Sequence, residues 1–339
     1  MAEGAGPSEG PKSEVRPRLV ILDSFAIDQG EPEAAWGELA ALGDLAVHAQ
    51  TEQEDVVARC AGALAAFSNK VLLGAAEIAA LPALRYIGVT ATGTNVVDLE
   101  AARAAGIAVT NVPGYATESV AELVFALILH FSHDVAGHNA AVKVGVWAAS
   151  SDFCFFRQPL VELAGKTLVV VGAGAIGGAV ARIAEGFGMQ VVRAAVPGAP
   201  ARTGQARTPL AEALPLADFV SLHCPLTEAT RGVVNAAFLT ALKPGAILIN
   251  TGRGALVDEG ALIAALANGR LGGVGLDVLS VEPPPPNHPL TDPRAPWAGR
   301  LVVTPHIGWG TVEARRRLVA EATRNLAAFL AGERRNRVV

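Results

Sequence analysis

Lys166–Gly178 reads KTLVVVGAGAIGG. Leu168–Val171 make a short apolar run with the character of a buried strand, and AIGGAVARIAEGFG (175–188) continues as a helix. Between them Gly172, Gly174 and Gly177 stand in G-x-G-x-x-G spacing, which alone means little in a chain with 36 glycines. Set between a strand and a helix, the three have separate tasks. Gly172 permits a tight bend, Gly174 lets backbone approach a pyrophosphate, and Gly177 lets helix and strand pack closely. The helix start adds unpaired N–H groups and a partial positive charge for the phosphates. The stretch is therefore expected to open a doubly wound parallel sheet that holds a dinucleotide.

Working outward, apolar strands continue downstream as VVRAAV (191–196), DFVSLHC (218–224), AILINTG (246–252), GVGLDV (273–278) and LVVTPH (301–306). Upstream lies a separate series of RLVILDSF (18–25), LAVHAQ (45–50), GALAAFSN (62–69), LRYIGVTAT (84–92) and IAVTNV (107–112). Helical stretches alternate with these strands, near Glu33–Leu42 and in EDVVARC, AAEIAAL and DLEAARAAG. That order predicts α/β architecture, with βα units on parallel sheets. A length of 339 residues favours two domains. The expected division is a flexible leader (1–16), a first domain (17–112) completed by 308–339, and a dinucleotide-binding domain (113–307). Thr117 to about Val146 reads as one helix, capped by Thr117 or Ser119, and EPPPPNHP (282–289) as an extended connector.

Composition narrows the function. The chain is 51% hydrophobic and 17% charged, with a net charge of −5, which argues against a nucleic-acid or anionic-membrane partner. Cys60, Cys154 and Cys224 form no CxxC pair, so reduced thiols and a cytoplasmic location are expected. The leader has no apolar core of a signal peptide, and the longest apolar run, LVFALILHF, is too short to span a bilayer. His130, His133 and His138 lie close together, but no cysteine or second carboxylate completes a site, and no metal is expected.

Polar residues follow three of the downstream strands. Arg253 comes after AILIN, Asp277 and then Glu282 after GVGL, and His306 after LVVT. In a doubly wound sheet ligands bind beyond the carboxyl ends of the strands. Arg253 offers a planar fork of donors for a carboxylate or a polarised carbonyl. His306 is suited to donate a proton near neutral pH, and Glu282 beside it would orient the ring and favour the imidazolium. With a dinucleotide, this set suits hydride transfer to the keto carbon of a small 2-oxo acid.

Seven segments resemble the D-isomer-specific 2-hydroxyacid dehydrogenases: ATGTNVVDLEAARAAGI, VTNVPGYATESVAEL, ELAGKTLVVVGAGAIGGAVARIAEGFGM, VSLHCPLTEATRG, LKPGAILINTGRGALVDE, GGVGLDVLSVEPP and TPHIGW. The likeness covers nearly everything but the leader and is greatest to the glycerate dehydrogenase, or hydroxypyruvate reductase, branch. The resemblance implies a flavodoxin-like substrate domain, a Rossmann cofactor domain and a homodimer. It makes Arg253, Glu282 and His306 the substrate arginine, supporting glutamate and catalytic histidine, and gives the grip on the substrate carboxylate to Gly93 and Thr94. The cofactor, NAD or NADP, would be held at Gly172, Gly174, Ala175, Ile176 and Gly177. His223, Cys224, Pro225 and Thr230 would follow its ribose. Val120, Thr251, Asp277, His306 and Gly308 would stand on its nicotinamide side. The implied activity is reduction of hydroxypyruvate or glyoxylate, reversible as oxidation of D-glycerate. The same family pattern includes NADH-sensing corepressors and dehydrogenases of D-lactate or 3-phosphoglycerate, which stand as alternatives.

The choice between NAD and NADP turns on MQVVRAAVPGAPAR (189–202). The acid that usually bonds the ribose hydroxyls of NAD would fall at Ala195, yet Gly186–Ala211 contains no Asp or Glu. Arg193, Arg202 and Arg207 lie in or beside this stretch, and Arg202 is the expected partner of a 2′-phosphate. Relaxed specificity is expected, with NADP(H) accepted.

Overall fold

The computed structural model describes residues 16–199 and 207–339. By contact density the chain divides into two compact units, 1–115 with 312–339 and 116–311.

The first unit runs β1 (Arg18–Ile21), α1 (Phe25–Asp28), α2 (Pro32–Ala40), β2 (Asp44–Val47), α3 (Val56–Cys60), β3 (Ala65–Ser68), α4 (Ala75–Ala80), β4 (Tyr86–Val89), α5 (Leu99–Ala104) and β5 (Ala108–Thr110). All five strands are parallel in the order β2-β1-β3-β4-β5, the flavodoxin-like winding. β3 and β4 are buried along their whole length, as a parallel sheet covered on both faces requires. Asp98 starts α5 by accepting the Glu100 and Ala101 N–H groups. Asp23, beyond β1, accepts the N–H groups of Asn69, Lys70 and Val71. Burial outweighs those bonds and pushes its carboxyl above the usual range.

The second unit contains α6 (Thr117–His133), α7 (Val135–Lys143), β6 (Thr167–Val171), α8 (Ala175–Gly186), β7 (Gln190–Ala194), α9 (Leu210–Ala213), β8 (Phe219–Leu222), α10 (Ala236–Ala241), β9 (Ile247–Asn250), α11 (Glu259–Ala267), β10 (Gly273–Leu276) and β11 (Leu301–Val303). Its parallel sheet is ordered β11-β10-β9-β8-β6-β7, and a bridge from Ala194 to Thr208 extends it beyond β7. Alternate residues of β6 enter opposite cores. Val169 and Val171 pack with Leu222, Leu248 and Leu276, while Leu168 and Val170 pack with Phe219, Ile249 and the buried sides of α6 and α8. The sheet is therefore doubly wound, and the expected α/β class holds for both units.

The chain then rejoins the first unit as α12 (Val312–Leu330). The ring of Phe329 lies 5.0 Å from that of Tyr86, and Asn325 donates to Asn111 O. The last residues run along β5, where Val338 N donates to Val109 O.

Three local expectations are corrected. The stretch from Thr117 is two helices, not one, because Asp134 adopts φ 44° and bends the chain by 54°. Asp134 ends α6 and begins α7, its carboxylate accepting the Gly137 N–H and binding Arg157 Nε at 2.7 Å. That pairing holds its carboxyl below the usual range against the effect of burial. The residue before α6 is Ala116, which supplies no side-chain cap, and Ser119 donates instead to Gly308 O. The proline-rich connector is also not a plain rod, since His288 N returns to Pro285 O. No single helix among the described residues is long and apolar enough to cross a membrane.

Candidate active site

The glycine turn has the form its spacing predicts. Gly172 lies at φ 102°, and a Cβ there would stand 2.5 Å from Cys224 N. A Cβ on Gly177 would come within 2.0 Å of Gly172 O, whereas one on Gly174 would meet nothing within 4 Å. Gly172 and Gly177 are needed for packing, and Gly174 leaves open space in front of the α8 N-terminus, at Ala175 and Ile176. β6 pairs with β7 on one side and β8 on the other. The winding reverses here, which is where such sheets bind ligands.

The 223–230 loop is bound to this turn. His223 N donates to Val171 O, and its ring Nε2 lies 2.9 Å from Ser221 Oγ. Burial lowers the imidazole to about 4, because desolvation penalises the charged ring. The Cys224 thiol is buried and raised for the same reason. The Thr230 hydroxyl is turned inward, donating to Pro225 O and accepting the Thr227 N–H, so it shapes the loop.

Beyond β9, fully buried Asn250 organises the next turn. Its amide donates to Arg253 O and its carbonyl accepts the Gly252 N–H. This carries Arg253 to an exposed position with Nη1 on Gly252 O. The Thr251 hydroxyl is sealed from solvent and has no partner among the described residues.

Beyond β10 and β11, His306 Nδ1 meets Glu282 Oε2 at 2.6 Å. The other oxygen, Oε1, accepts the Leu279 N–H. The ring nitrogen Nε2 of His306 has no partner among the described residues. His306 stands at φ 54°, a left-handed conformation that costs a non-glycine residue roughly 1–2 kcal/mol. Buried Asp277 holds it there. Its carboxylate accepts from Thr304 Oγ1 at 2.6 Å, Ile307 N at 2.9 Å and Gly308 N at 2.8 Å, and its carbonyl accepts the His306 N–H. Val120 of α6 is buried beside Gly308. Gly93 and Thr94 follow β4 in the first unit, where Thr94 O accepts the Val97 N–H.

The model of the D-isomer specific 2-hydroxyacid dehydrogenase NAD binding domain matches residues 125–308. The chain belongs to the D-isomer specific 2-hydroxyacid dehydrogenase family. It is 37% identical over 320 residues to a hydroxypyruvate reductase of Blautia hydrogenotrophica, covering 93% of this chain and 97% of that one. It is 40% identical over 283 residues to a glycerate dehydrogenase of Methylorubrum extorquens, with 84% and 88% covered. Among solved structures, an NADPH-dependent glyoxylate/hydroxypyruvate reductase of Sinorhizobium meliloti, bound to NADP and malonate, matches with a TM-score of 0.78. That pair shares 29% identity, with 96% and 97% of the chains covered.

The residues of this dehydrogenase fit a dinucleotide. The clear space before Gly174, the α8 N-terminus and the orphaned Thr251 hydroxyl are the features such a ligand would use. Near the ribose position, Arg193 is committed to Glu185 at 3.2 Å. Arg207 precedes Thr208, whose carbonyl accepts the Ala195 N–H, and its buried Nε has no partner among the described residues. Arg202 lies outside the described residues. Sequence reasoning missed Asn250 and the role of Ser119. An asparagine closing an apolar strand was the available signal for the first, and the contact from Ser119 to Gly308, 189 residues away, left none.

Proposed function

We propose that the protein uses NAD(P)H to reduce a small 2-oxo acid, hydroxypyruvate or glyoxylate, to the D-2-hydroxy acid, and oxidises D-glycerate in reverse. The observation that carries this reading is the 2.6 Å contact between His306 and Glu282, on the sheet edge that bears the glycine turn. The names of the relatives point the same way. Bound at Gly172–Gly177, the nicotinamide cofactor supplies the hydride. Arg253 orients the carboxylate and polarises the carbonyl. His306, with Nδ1 held by Glu282, gives the proton on Nε2 to the carbonyl oxygen. Thr251, Asp277 and Gly308 frame the nicotinamide side. Residues 113–307 then serve as the cofactor domain, and 17–112 with 308–339 as the substrate domain. Steady-state consumption of NADH and NADPH with hydroxypyruvate, glyoxylate, pyruvate and 3-phosphohydroxypyruvate tests this reading, which falls if none of these acids is turned over.

NADP(H) is accepted in this reading, because no acid occupies the stretch 186–211 and Arg207 stands next to Thr208 with no partner for its Nε among the described residues. Ala195→Asp shifts kcat/KM toward NADH. A strong parental preference for NADH, unmoved by the added aspartate, overturns it.

A homodimer and a cytoplasmic location belong to the same reading. The exposed apolar residues Val144, Trp147, Phe153 and Phe156 support a surface that a second copy covers. The three free cysteines support a reducing compartment.

A further inference from the structure

Glu282 is aimed by a turn that is itself held from behind. The Leu279 N–H donates to Glu282 Oε1 at 3.0 Å, and the next amide, Ser280 N–H, donates to Glu259 Oε1 at 2.9 Å. The 279–280 peptide also lies against the Arg253 loop, since a Cβ on Gly254 would lie 1.9 Å from the Leu279 carbonyl carbon and 2.4 Å from Ser280 N. Leu279 therefore stands between the glutamate, which its own N–H binds, and the residue that follows the arginine, which packs on its carbonyl group.

Glu259 is fixed in turn. Its Oε2 lies 3.1 Å from His288 Nε2, with the side chains only 20% and 9% exposed. The tautomer follows from the other nitrogen. His288 Nδ1 faces the Leu290 N–H at 3.3 Å and must accept, so the ring carries its proton on Nε2 and donates it to Glu259. His288 thus couples the end of the proline-rich loop to Glu259 and Glu259 to the Ser280 N–H, and the adjoining Leu279 N–H carries the link to Glu282.

We propose that Glu259 and His288 are a positioning pair that fixes the Leu279–Ser280 peptide and thereby sets Glu282 against the Arg253 loop. Neither touches a reacting atom. The proposal rests on the reductase reading for its effect on turnover, and on geometry alone for its effect on the peptide.

Two substitutions separate the bonds of His288. Glutamine places an amide N–H near the Nε2 position and keeps the link to Glu259, while asparagine places an oxygen near Nδ1 and keeps only the Leu290 cap. His288→Asn should lower kcat about tenfold, in line with the loss of an outer partner, with KM for the cofactor unchanged. His288→Gln should restore kcat to within about threefold of the parent. Glu259→Ala should lower kcat by about 100-fold, the effect of a misplaced catalytic group, and adding His288→Asn to it should change nothing further. Amide hydrogen exchange at 279 and 280 in the unliganded protein should quicken in His288→Asn and not in His288→Gln, with thermal midpoints recorded alongside. Parental kcat in His288→Asn overturns the pair, as does a kcat loss that His288→Gln shares and that only follows the fall in midpoint. If the parent reduces no 2-oxo acid, the functional reading fails instead. The exchange rates then decide alone, and equal rates in the two variants overturn the proposal.

Discussion

Asp277→Asn gives the most direct test of how His306 is held. Three donors converge on this carboxylate, Thr304 Oγ1 and Ile307 N on one oxygen and Gly308 N on the other. An amide replaces one acceptor with a donor. In its better orientation it still serves Thr304 and Ile307 but sets its NH2 against the Gly308 N–H. In the other it strands both of the first two. The lesser loss is one buried amide without a partner, which costs about 1–3 kcal/mol. Spread over the unit 116–311, about 2 kcal/mol lowers its melting temperature by about 4–8 °C. The left-handed φ of 54° at His306 costs roughly 1–2 kcal/mol, so a loosened 307–308 anchor lets the ring leave its position. An error of about 1 Å in a reacting group costs about 100-fold. The expected result is therefore a lower midpoint by scanning calorimetry together with a kcat/KM for hydroxypyruvate reduced by about 10–100-fold. A variant with parental midpoint and parental kcat/KM would show that Asp277 does not hold the His306 loop.

Other outcomes follow from the same geometry. Arg253→Ala should lower kcat/KM by about two to four decades, as losing a charged transition-state contact does, while NADPH binding followed by fluorescence stays unchanged; near-parental turnover would remove Arg253 from the site. Glu282→Ala frees His306 Nδ1 and the Leu279 N–H together, so kcat should drop by about 10–100-fold, and a smaller loss than in a variant that leaves the pair intact would refute its role. The half-buried His223 ring stays neutral in the fold down to about 4, against 6.5 for the free side chain. The unfolded chain alone binds the proton between those values, so stability is full above about pH 6.5 and falls by about 3 kcal/mol as pH drops to about 4. His223→Gln should flatten that part of the profile of unfolding midpoint against pH, and an unchanged slope would assign the acid sensitivity elsewhere.

The sheets were legible because parallel strands buried on both faces must be apolar runs, as in Leu168–Val171 and Ala65–Ser68. The glycine turn was legible because Gly172 and Gly177 have no room for a Cβ. Residues just beyond strand ends were legible too, since a parallel sheet puts those ends on one edge, and Glu282 and His306 do meet. What escaped depends on conformation or on contacts remote in sequence. The break at Asp134 comes from a left-handed φ that no apolar periodicity records. The pattern that set Asp277 and Thr230 beside a cofactor held no sign that their side chains also bond within their own loops. The bond from His288 to Glu259 reaches back 29 residues from a stretch whose prolines suggested only an extended rod.

The return of α12 to the first unit has a consequence for synthesis. The unit 116–311 is one continuous stretch, whereas the other needs both 1–115 and 312–339. A ribosome making about 5–20 residues per second therefore finishes the second unit's contribution before the first can close. During that interval Tyr86 lacks the ring of Phe329, and the outer edge of β5 lacks the strip that ends at Val339. The nascent chain presents an open parallel edge and an uncovered apolar face. A chain stopped near Thr311 keeps every residue of the second unit and leaves the first unfinished, so premature termination there yields an adhesive half-protein rather than a shortened enzyme.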